Sequence, residues 1–392
     1  MQTDDVQKAI RTSGLDGWLF FDHHRRDPLA YRILNISTSV DPTRRWYCLI
    51  PAEGPVKKLV HQIEGRVLDN VEGVNYTYSS WSDQTERLRE MLKGCSRIAM
   101  QYSPNCAIPY VSLVDAGTLE LVRSCGVEVL SSADLVQQFE ARWSEEQLKL
   151  HLEAGRRVDQ IRRDAFDFIG ERIRADASVT EYDVQQFILN RFGQSDLQTD
   201  HGPIVAVNQH ASDPHYEPSL QSAVPIKAGD FVLIDLWAKL MESHAVYYDI
   251  TWTGYCGEVI PSRIQNVFEI VRDARRKAIE FVIQSVAARR RFAGFEVDDV
   301  ARNYIRQQGY GESFFHRTGH SIGSEVHGTG ANIDNFESHD ERQIISRTCF
   351  SIEPGIYLAD FGVRSEVDVY VGEGFARVTG EEQEELVRIC GG

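Results

Sequence analysis

The sequence predicts two domains, an α/β domain over residues 1–143 and an α+β domain over 144–392. Three observations carry this. At 392 residues the chain is too long for one ordinary hydrophobic core. Its first 140 residues alternate short strand-like and helix-like stretches, which is α/β patterning. The remainder gathers its helices and strands into separate runs, with no βαβ rhythm.

In the first domain an opening helix precedes WLFF (18–21), a run apolar enough for a buried strand. WYCLI (46–50) and KKLVHQI (57–63) flank the turn signal PAEG and predict a hairpin. QTERLREMLKG (84–94) has helical periodicity with a glycine stop, and RIAM (97–100) follows as a strand. GTLELVRSCG and then VEVL repeat that helix-to-strand order over 117–130.

The boundary falls near 140–144, where Ser144 and Gln147 form a capping box. Leu148, Leu152, Ile161, Ala165 and Phe168 are expected on the apolar face of the helix that follows. Thr180 with Asp183 caps another helix, expected to end at Gly193. Strands follow at PIVAV (203–207), FVLID (231–235) and YYDITWTGY (247–255). Helices are predicted over 262–290 and 297–308, the second stopped by Gly309. TCFSIEPGIYL and GVRSEVDVYV return the chain to strands.

Composition excludes several classes of function. A 42% hydrophobic and 26% charged chain is ordinary for a globular protein, which argues against disorder. The net charge of −16 repels phosphate backbones and anionic lipids, so neither nucleic acid nor membrane is expected as a partner. No charged-then-apolar leader opens MQTDDVQKAI, and no apolar run approaches the roughly 20 residues that span a bilayer. A soluble, cytoplasmic protein is expected. The seven scattered cysteines contain no CxxC pair, which fits reduced thiols rather than a disulfide frame or a zinc knuckle.

Four carboxylates lie where apolar sequence should bury them: Asp235 at the end of FVLID, Asp249 in YYDITWT, Glu353 in FSIEPGIY and Glu366 in GVRSEVDVYV. Any one of them could sit on the wet face of an alternating strand. Four in strand contexts that read as core make that reading poor. They cannot share one interior cavity without cations, because repulsion would force most of them to take up protons. A pair of divalent metals resolves this, and oxygen-rich ligation with one imidazole suits Mn²⁺, Co²⁺, Zn²⁺ or Fe²⁺.

HRTGHSIGSEVHG (316–328) supplies the imidazole. His316 and His320 have the i, i+4 spacing of a helical metal pair, but Thr318, Gly319, Ser321 and Gly323 make a helix poor there. A tight strand or loop is the better reading, with one histidine facing metal and the others facing substrate.

The order D…D…GHxxG…EPG…RxE resembles the pita-bread metallopeptidases, which include creatinase, Xaa-Pro aminopeptidase, prolidase and methionine aminopeptidase. The resemblance implies a pita-bread catalytic domain over 144–392 behind a creatinase/prolidase-type α/β domain over 1–143. It implies two divalent metal ions, Mn²⁺ foremost, held by Asp235, Asp249, His320, Glu353 and Glu366. Asp249 and Glu366 would bridge them, and Glu353 would also move the proton. His215 in DPHYEP and His327 match histidines that donate to the substrate carbonyl, His316 would orient the edge of the site, and Arg364 would hold metal-bound or substrate carboxylates. The bland alternatives are structural histidines and a structural ion pair.

The implied activity is hydrolysis of the X-Pro bond at the N-terminus of peptides or in dipeptides, by a homodimer acting on small peptide substrates. A non-peptide C–N hydrolase, a lyase, or a non-catalytic binding module on the same fold are the rivals. Two departures bear on substrate choice. Trp237 stands in DLW where the family has glycine, and YDITWT carries Tyr248 and Trp252 where the family pattern is SDxTRT. A bulky Trp237 or Tyr248 is expected to reshape the pocket.

Overall fold

GWLFFD buries all six of its residues, the pattern of a strand covered on both faces. The computed structural model describes residues 3–390 apart from 38 and 40. The chain divides into two compact units, residues 1–140 and 141–392.

In the first unit the strands are β1 (Gly17–Asp22), β2 (Trp46–Pro51), β3 (Lys57–His61), β4 (Val74–Tyr78), β5 (Arg97–Met100) and β6 (Glu128–Ser131). They form one sheet in the order β4-β3-β2-β1-β5-β6. The expected hairpin is the antiparallel β2–β3 pair, while β5 runs parallel to β1 and to β6. Helices α1 (Thr3–Thr12), α2 (Pro28–Ile33) and α5 (Ala133–Val136) pack with Trp18 and Phe20. Helices α3 (Trp81–Leu92) and α4 (Ala116–Arg123) pack with Leu19 and Phe21 on the other face. Alternate residues of β1 thus enter two cores, the α/β arrangement expected.

The second unit opens with α6 (Glu145–Arg174), started by the reciprocal Ser144–Gln147 capping box. Its buried stripe is Ala154, Val158, Ile161, Ala165 and Ile169. Leu148, Leu152 and Phe168, expected on that face, are only partly buried. Small residues set the packing: a Cβ on Gly155 would lie 2.8 Å from the Tyr248 ring, so the helix backbone approaches closely there. Helix α7 (Glu181–Gln194) is capped by Thr180 and Asp183 as predicted and runs one residue past Gly193.

Strands β7 (Leu197–Gln198), β8 (Ile204–Val207), β9 (Phe231–Leu240) and β10 (Tyr248–Tyr255) follow, and the C-terminal β17 (Val387–Arg388) joins their sheet beside β10. Helices α8 (Ser262–Ala287) and α9 (Gly294–Gln307) come next. The second starts three residues before its expected position, where Gly294 touches the Asn332 carbonyl so closely that a Cβ would lie 1.8 Å away. Strands β11 (Ser321–Ile322), β12 (Thr348–Ile352), β15 (Val367–Val371) and β16 (Ala376–Val378) make a second sheet, and β13 (Gly355–Tyr357) pairs with β14 (Gly362–Arg364) in a third.

One core packs α6 and α7 against Val232, Ile234, Leu236, Tyr248 and Ile250. Another packs α8 and α9 against Phe231, Leu233, Phe350, Ile352, Val367 and Val369. Helices lie outside and strands inside, so α+β describes this unit. Alternation along β9 and β10 then fixes the site: Asp235 follows Phe231 and Leu233 onto the inner face, while Tyr248, Ile250 and Trp252 turn toward α6. Glu353 and Glu366 were expected inside strands. Both instead occupy the breaks between β12 and β13 and between β14 and β15, where the chain changes sheets beside Pro354.

Candidate metal centre

Cross-strand register assembles the first pair of carboxylates. In the β9–β10 ladder Asp235 lies opposite Thr251, and Trp237 opposite Asp249. The break before β15 brings Glu366 over them, its N–H donating to the Thr251 carbonyl (3.2 Å) and its Oε2 accepting from Thr251 Oγ1 (2.7 Å). His320 enters from the preceding loop. Gly319 pairs with Ile333 and lies against Ser351, whose carbonyl oxygen would be 2.0 Å from an added Cβ. Ser351 Oγ accepts the His320 N–H (3.0 Å) and donates to Glu353 Oε1 (3.0 Å), tying the histidine to the second glutamate.

Among the described residues, Asp249, His320 and Glu366 present ligand atoms all within 4.8 Å of one another. His320 Nε2 is 3.6 Å from Asp249 Oδ2 and 3.3 Å from Glu353 Oε1. Its Nδ1 lies 3.2 Å from the Ser321 carbonyl, an acceptor only, so Nδ1 carries the proton and Nε2 offers a lone pair to the cluster. Asp235 sits beside them under Arg364, whose Nη2 donates to its Oδ2. Arg364 Nε donates to Thr251 Oγ1 (3.0 Å) and lies 3.9 Å from Glu353 Oε2. The guanidinium is buried and holds protein groups.

The electrostatics of this cavity are unfavourable without further positive charge. Burial raises the Asp249 and Glu366 carboxyls well above the ordinary carboxylate range, and repulsion from Asp235 and Glu353 pushes the same way, joined by Asp368 at Asp249 and by Asp249 at Glu366. Glu353 is raised to about 7, chiefly by burial, with Arg364 opposing and Asp235 adding to the shift. Asp235 is raised by burial despite Arg364. Burial and the neighbouring His327 hold His320 well below its usual value. Asp249 Oδ1 is buried and has no hydrogen-bond partner among the described residues. Oxygen donors, one neutral imidazole and an orphaned buried oxygen fit divalent cations of the Mn²⁺, Co²⁺, Zn²⁺ or Fe²⁺ kind.

The other predicted residues divide. The His327 ring meets that of His320 edge-on at 4.3 Å, beside the cluster. His215 is exposed on its loop, and its charge is felt by both Asp235 and His327. His316 has both ring nitrogens engaged. Nδ1–H donates to the Arg317 carbonyl (2.7 Å), and Nε2 accepts from the Tyr357 hydroxyl (2.8 Å), which in turn accepts from Arg364 Nη1 (3.2 Å). It braces Arg364 through Tyr357.

Tyr248 departs from expectation. It faces α6, with its hydroxyl on Asp159 Oδ2 (3.1 Å), because odd and even residues of β10 take opposite faces. Trp252 also turns away, under the Arg162 guanidinium. Trp237 alone of these bulky departures stands on the metal face. Sequence reasoning missed Thr251, Ser351 and Tyr357, of which Thr251 could have been found by its i+2 spacing from Asp249. It also missed His151, buried behind the site, and Glu181, a buried carboxylate that accepts from His210, Tyr216 and the Val207 and Val224 backbone to anchor the His215 loop.

Residues 149–373 match the model of metallopeptidase family M24. The Xaa-Pro dipeptidase of Lactobacillus delbrueckii subsp. lactis is 30% identical over 254 residues, covering 64% of this chain and 63% of that protein. The Xaa-Pro dipeptidase of Pyrococcus horikoshii is 34% identical over 184 residues, 46% of this chain and 47% of that protein. Both matches thus span less than two thirds of the relative's length. Among solved structures, a dipeptidase from Mycobacterium ulcerans has a TM-score of 0.72 at 22% identity, covering 99% of this chain and 96% of that one. An X-prolyl aminopeptidase from Caenorhabditis elegans, described as a cytosolic enzyme with a di-nuclear active site, has a TM-score of 0.66 at 16% identity, covering 97% of this chain and 62% of that one. These likenesses show the fold, and the expected pita-bread architecture holds.

Proposed function

Because the chain belongs to metallopeptidase family M24, we propose that it is a two-metal exopeptidase that hydrolyses the X-Pro bond at the N-terminus of peptides or in dipeptides. The observation that carries this reading is the convergence of Asp249, His320 and Glu366 within 4.8 Å, with Glu353 and Asp235 beside them. The names of the dipeptidase relatives support the substrate class, and the C. elegans protein's description supports two metals.

Asp235, Asp249, His320, Glu353 and Glu366 would hold the ions between them. When bound, such a pair polarises the scissile carbonyl and acidifies water near neutral pH. Glu353 then takes the proton given up by the attacking water and delivers it to the leaving nitrogen. His327 and His215 donate to the substrate carbonyl oxygen. Arg364 keeps Asp235 oriented and, through Thr251, steadies Glu366.

In this reading residues 144–392 form the catalytic domain and 1–143 the creatinase/prolidase-type domain. Mn²⁺ is the metal, and the protein works in the cytoplasm as a homodimer. No helix is long and apolar enough to cross a membrane among the described residues. A panel of Ala-Pro, Gly-Pro, Ala-Pro-Ala and Ala-Ala with added Mn²⁺ tests the activity. Turnover confined to X-Pro substrates is expected. Metal binding without any peptide turnover would favour a non-peptide C–N hydrolase or a lyase instead.

A further inference from the structure

Trp237 occupies a position that the metal centre leaves unexplained. It lies directly opposite Asp249 in the β9–β10 ladder and two residues beyond Asp235 on the same strand face, so its indole stands at the edge of the carboxylate cluster. It is only partly buried. Two residues further along each chain segment, Lys239 lies over the Tyr247 ring (4.6 Å), and the Tyr247 N–H donates to the Gly323 carbonyl (2.9 Å). The loop bearing His327 therefore closes that end of the site.

The indole N–H of Trp237 donates to Asp200 Oδ1 (2.9 Å), which also accepts the His201 N–H (3.1 Å). Asp200 keeps 44% of its side chain exposed, so its carboxylate is fixed in direction and still approachable. Burial is the largest single influence and raises its pKa. The hydrogen bonds from Trp237 and from the backbone, with the nearby His201, together hold it below the usual aspartate range, hence ionised at neutral pH. Its charge is felt by His327 and by Lys239, so it lies on the side of the site that carries that imidazole. A carboxylate aimed by an aromatic ring beside a hydrolytic centre has the chemistry to receive an ammonium group, through charge-assisted hydrogen bonds and the face of the ring.

We propose that Asp200, oriented by Trp237, is the receptor for the free α-ammonium group of the substrate, with Trp237 as the wall of that subsite. This rests on the exopeptidase reading above and deepens it: Trp237 is the positioning residue, and Asp200 is the group that meets the substrate.

The test compares Ala-Pro with propionyl-proline, the same molecule without its amine, in the Mn²⁺-loaded protein. KM is measured for Ala-Pro and the competitive inhibition constant for propionyl-proline, in wild type, Asp200→Asn, Asp200→Glu and Trp237→Phe. Asp200→Asn is expected to raise KM for Ala-Pro about tenfold or more while leaving the propionyl-proline constant within about twofold. Asp200→Glu, which keeps the charge, should recover part of that loss. Trp237→Phe, which keeps a ring and loses the aiming N–H, should shift KM in the same direction by less. Metal content and melting temperature establish that each variant is folded and loaded. Equal changes for the two ligands, or none for either, would overturn the ammonium assignment alone. A wild-type protein that cleaves no X-Pro dipeptide would defeat the exopeptidase reading, and this proposal with it.

Discussion

Arg364 is a buried cation set among Asp235, Glu353 and Glu366, and its single charge cannot neutralise them together with Asp249. Burial raises the Glu353 carboxyl to about 7, with Arg364 opposing and Asp235 adding to the shift. Replacing Glu353 by Gln keeps the shape and removes the proton-carrying function. Its kcat on Ala-Pro should fall by about 10²–10⁴ at saturating Mn²⁺. Steady-state kinetics with metal analysis checks this, and a kcat within a few-fold of wild type would show that Glu353 moves no proton. At this scale the sequence was readable wherever a charge interrupted apolar text, as at Asp249 and Glu366. Thr251, Ser351 and Tyr357 escaped notice because hydroxyl residues are ordinary strand formers. Their importance arises only when register sets them against Glu366, Glu353 and Arg364. Asp200 lay in polar loop sequence, where a carboxylate carries no signal.

Elements place these residues through two devices, the sheet-switching breaks at Glu353 and Glu366 and the close contact at Gly319. The breaks let a carboxylate leave the hydrogen-bonded ladder while Pro354, with no N–H, ends β12. Gly319 allows the loop bearing His320 to lie against Ser351, where a Cβ would be 2.0 Å from backbone oxygen. Gly319→Ala must push the two segments apart. It should lower stability by about 1–3 kcal/mol and reduce bound metal below wild type. Urea denaturation with metal analysis reads both, and unchanged values would mean the contact is not needed. Strand and helix positions followed from periodicity and caps, as at Ser144 and Thr180. The expected α6 face holds at Ile161 and Ala165 but not at Leu148, Leu152 and Phe168, because the small residues Ala154 and Gly155 let the helix meet the sheet on a neighbouring stripe. Tyr248 was misplaced because its face depends on which side of β10 carries Asp249, and that is settled only by the fold.

For the whole molecule, the polar groups behind the sheet set a pH limit. His151 is buried, donating from Nδ1 to the Tyr247 carbonyl (2.7 Å) and accepting at Nε2 from Thr379 Oγ1 (2.7 Å), so it is neutral in the folded state. Burial lowers its pKa to about 4, while the unfolded chain takes up the proton near the ordinary 6.5. The unfolded state therefore binds more protons between those values. The stability contributed by neutral His151 is present above about pH 6.5 and is lost as pH falls toward 4. From pH 7 to 5 the wild type should lose about 2 kcal/mol more than His151→Gln. Denaturation curves at the two pH values check this, and parallel losses in the two proteins would remove His151 from the account. The seven free thiols and the acidic charge were legible in composition alone.

The central claim is that a pair of divalent ions, held by Asp235, Asp249, His320, Glu353 and Glu366, drives peptide hydrolysis. Exhaustive chelation followed by Mn²⁺ titration, with bound metal and Ala-Pro turnover followed together, tests it most directly. No activity after chelation, and recovery that saturates as the second equivalent binds, is the predicted result. Undiminished turnover in the metal-free protein, or no ion retained at any Mn²⁺ concentration, would contradict it.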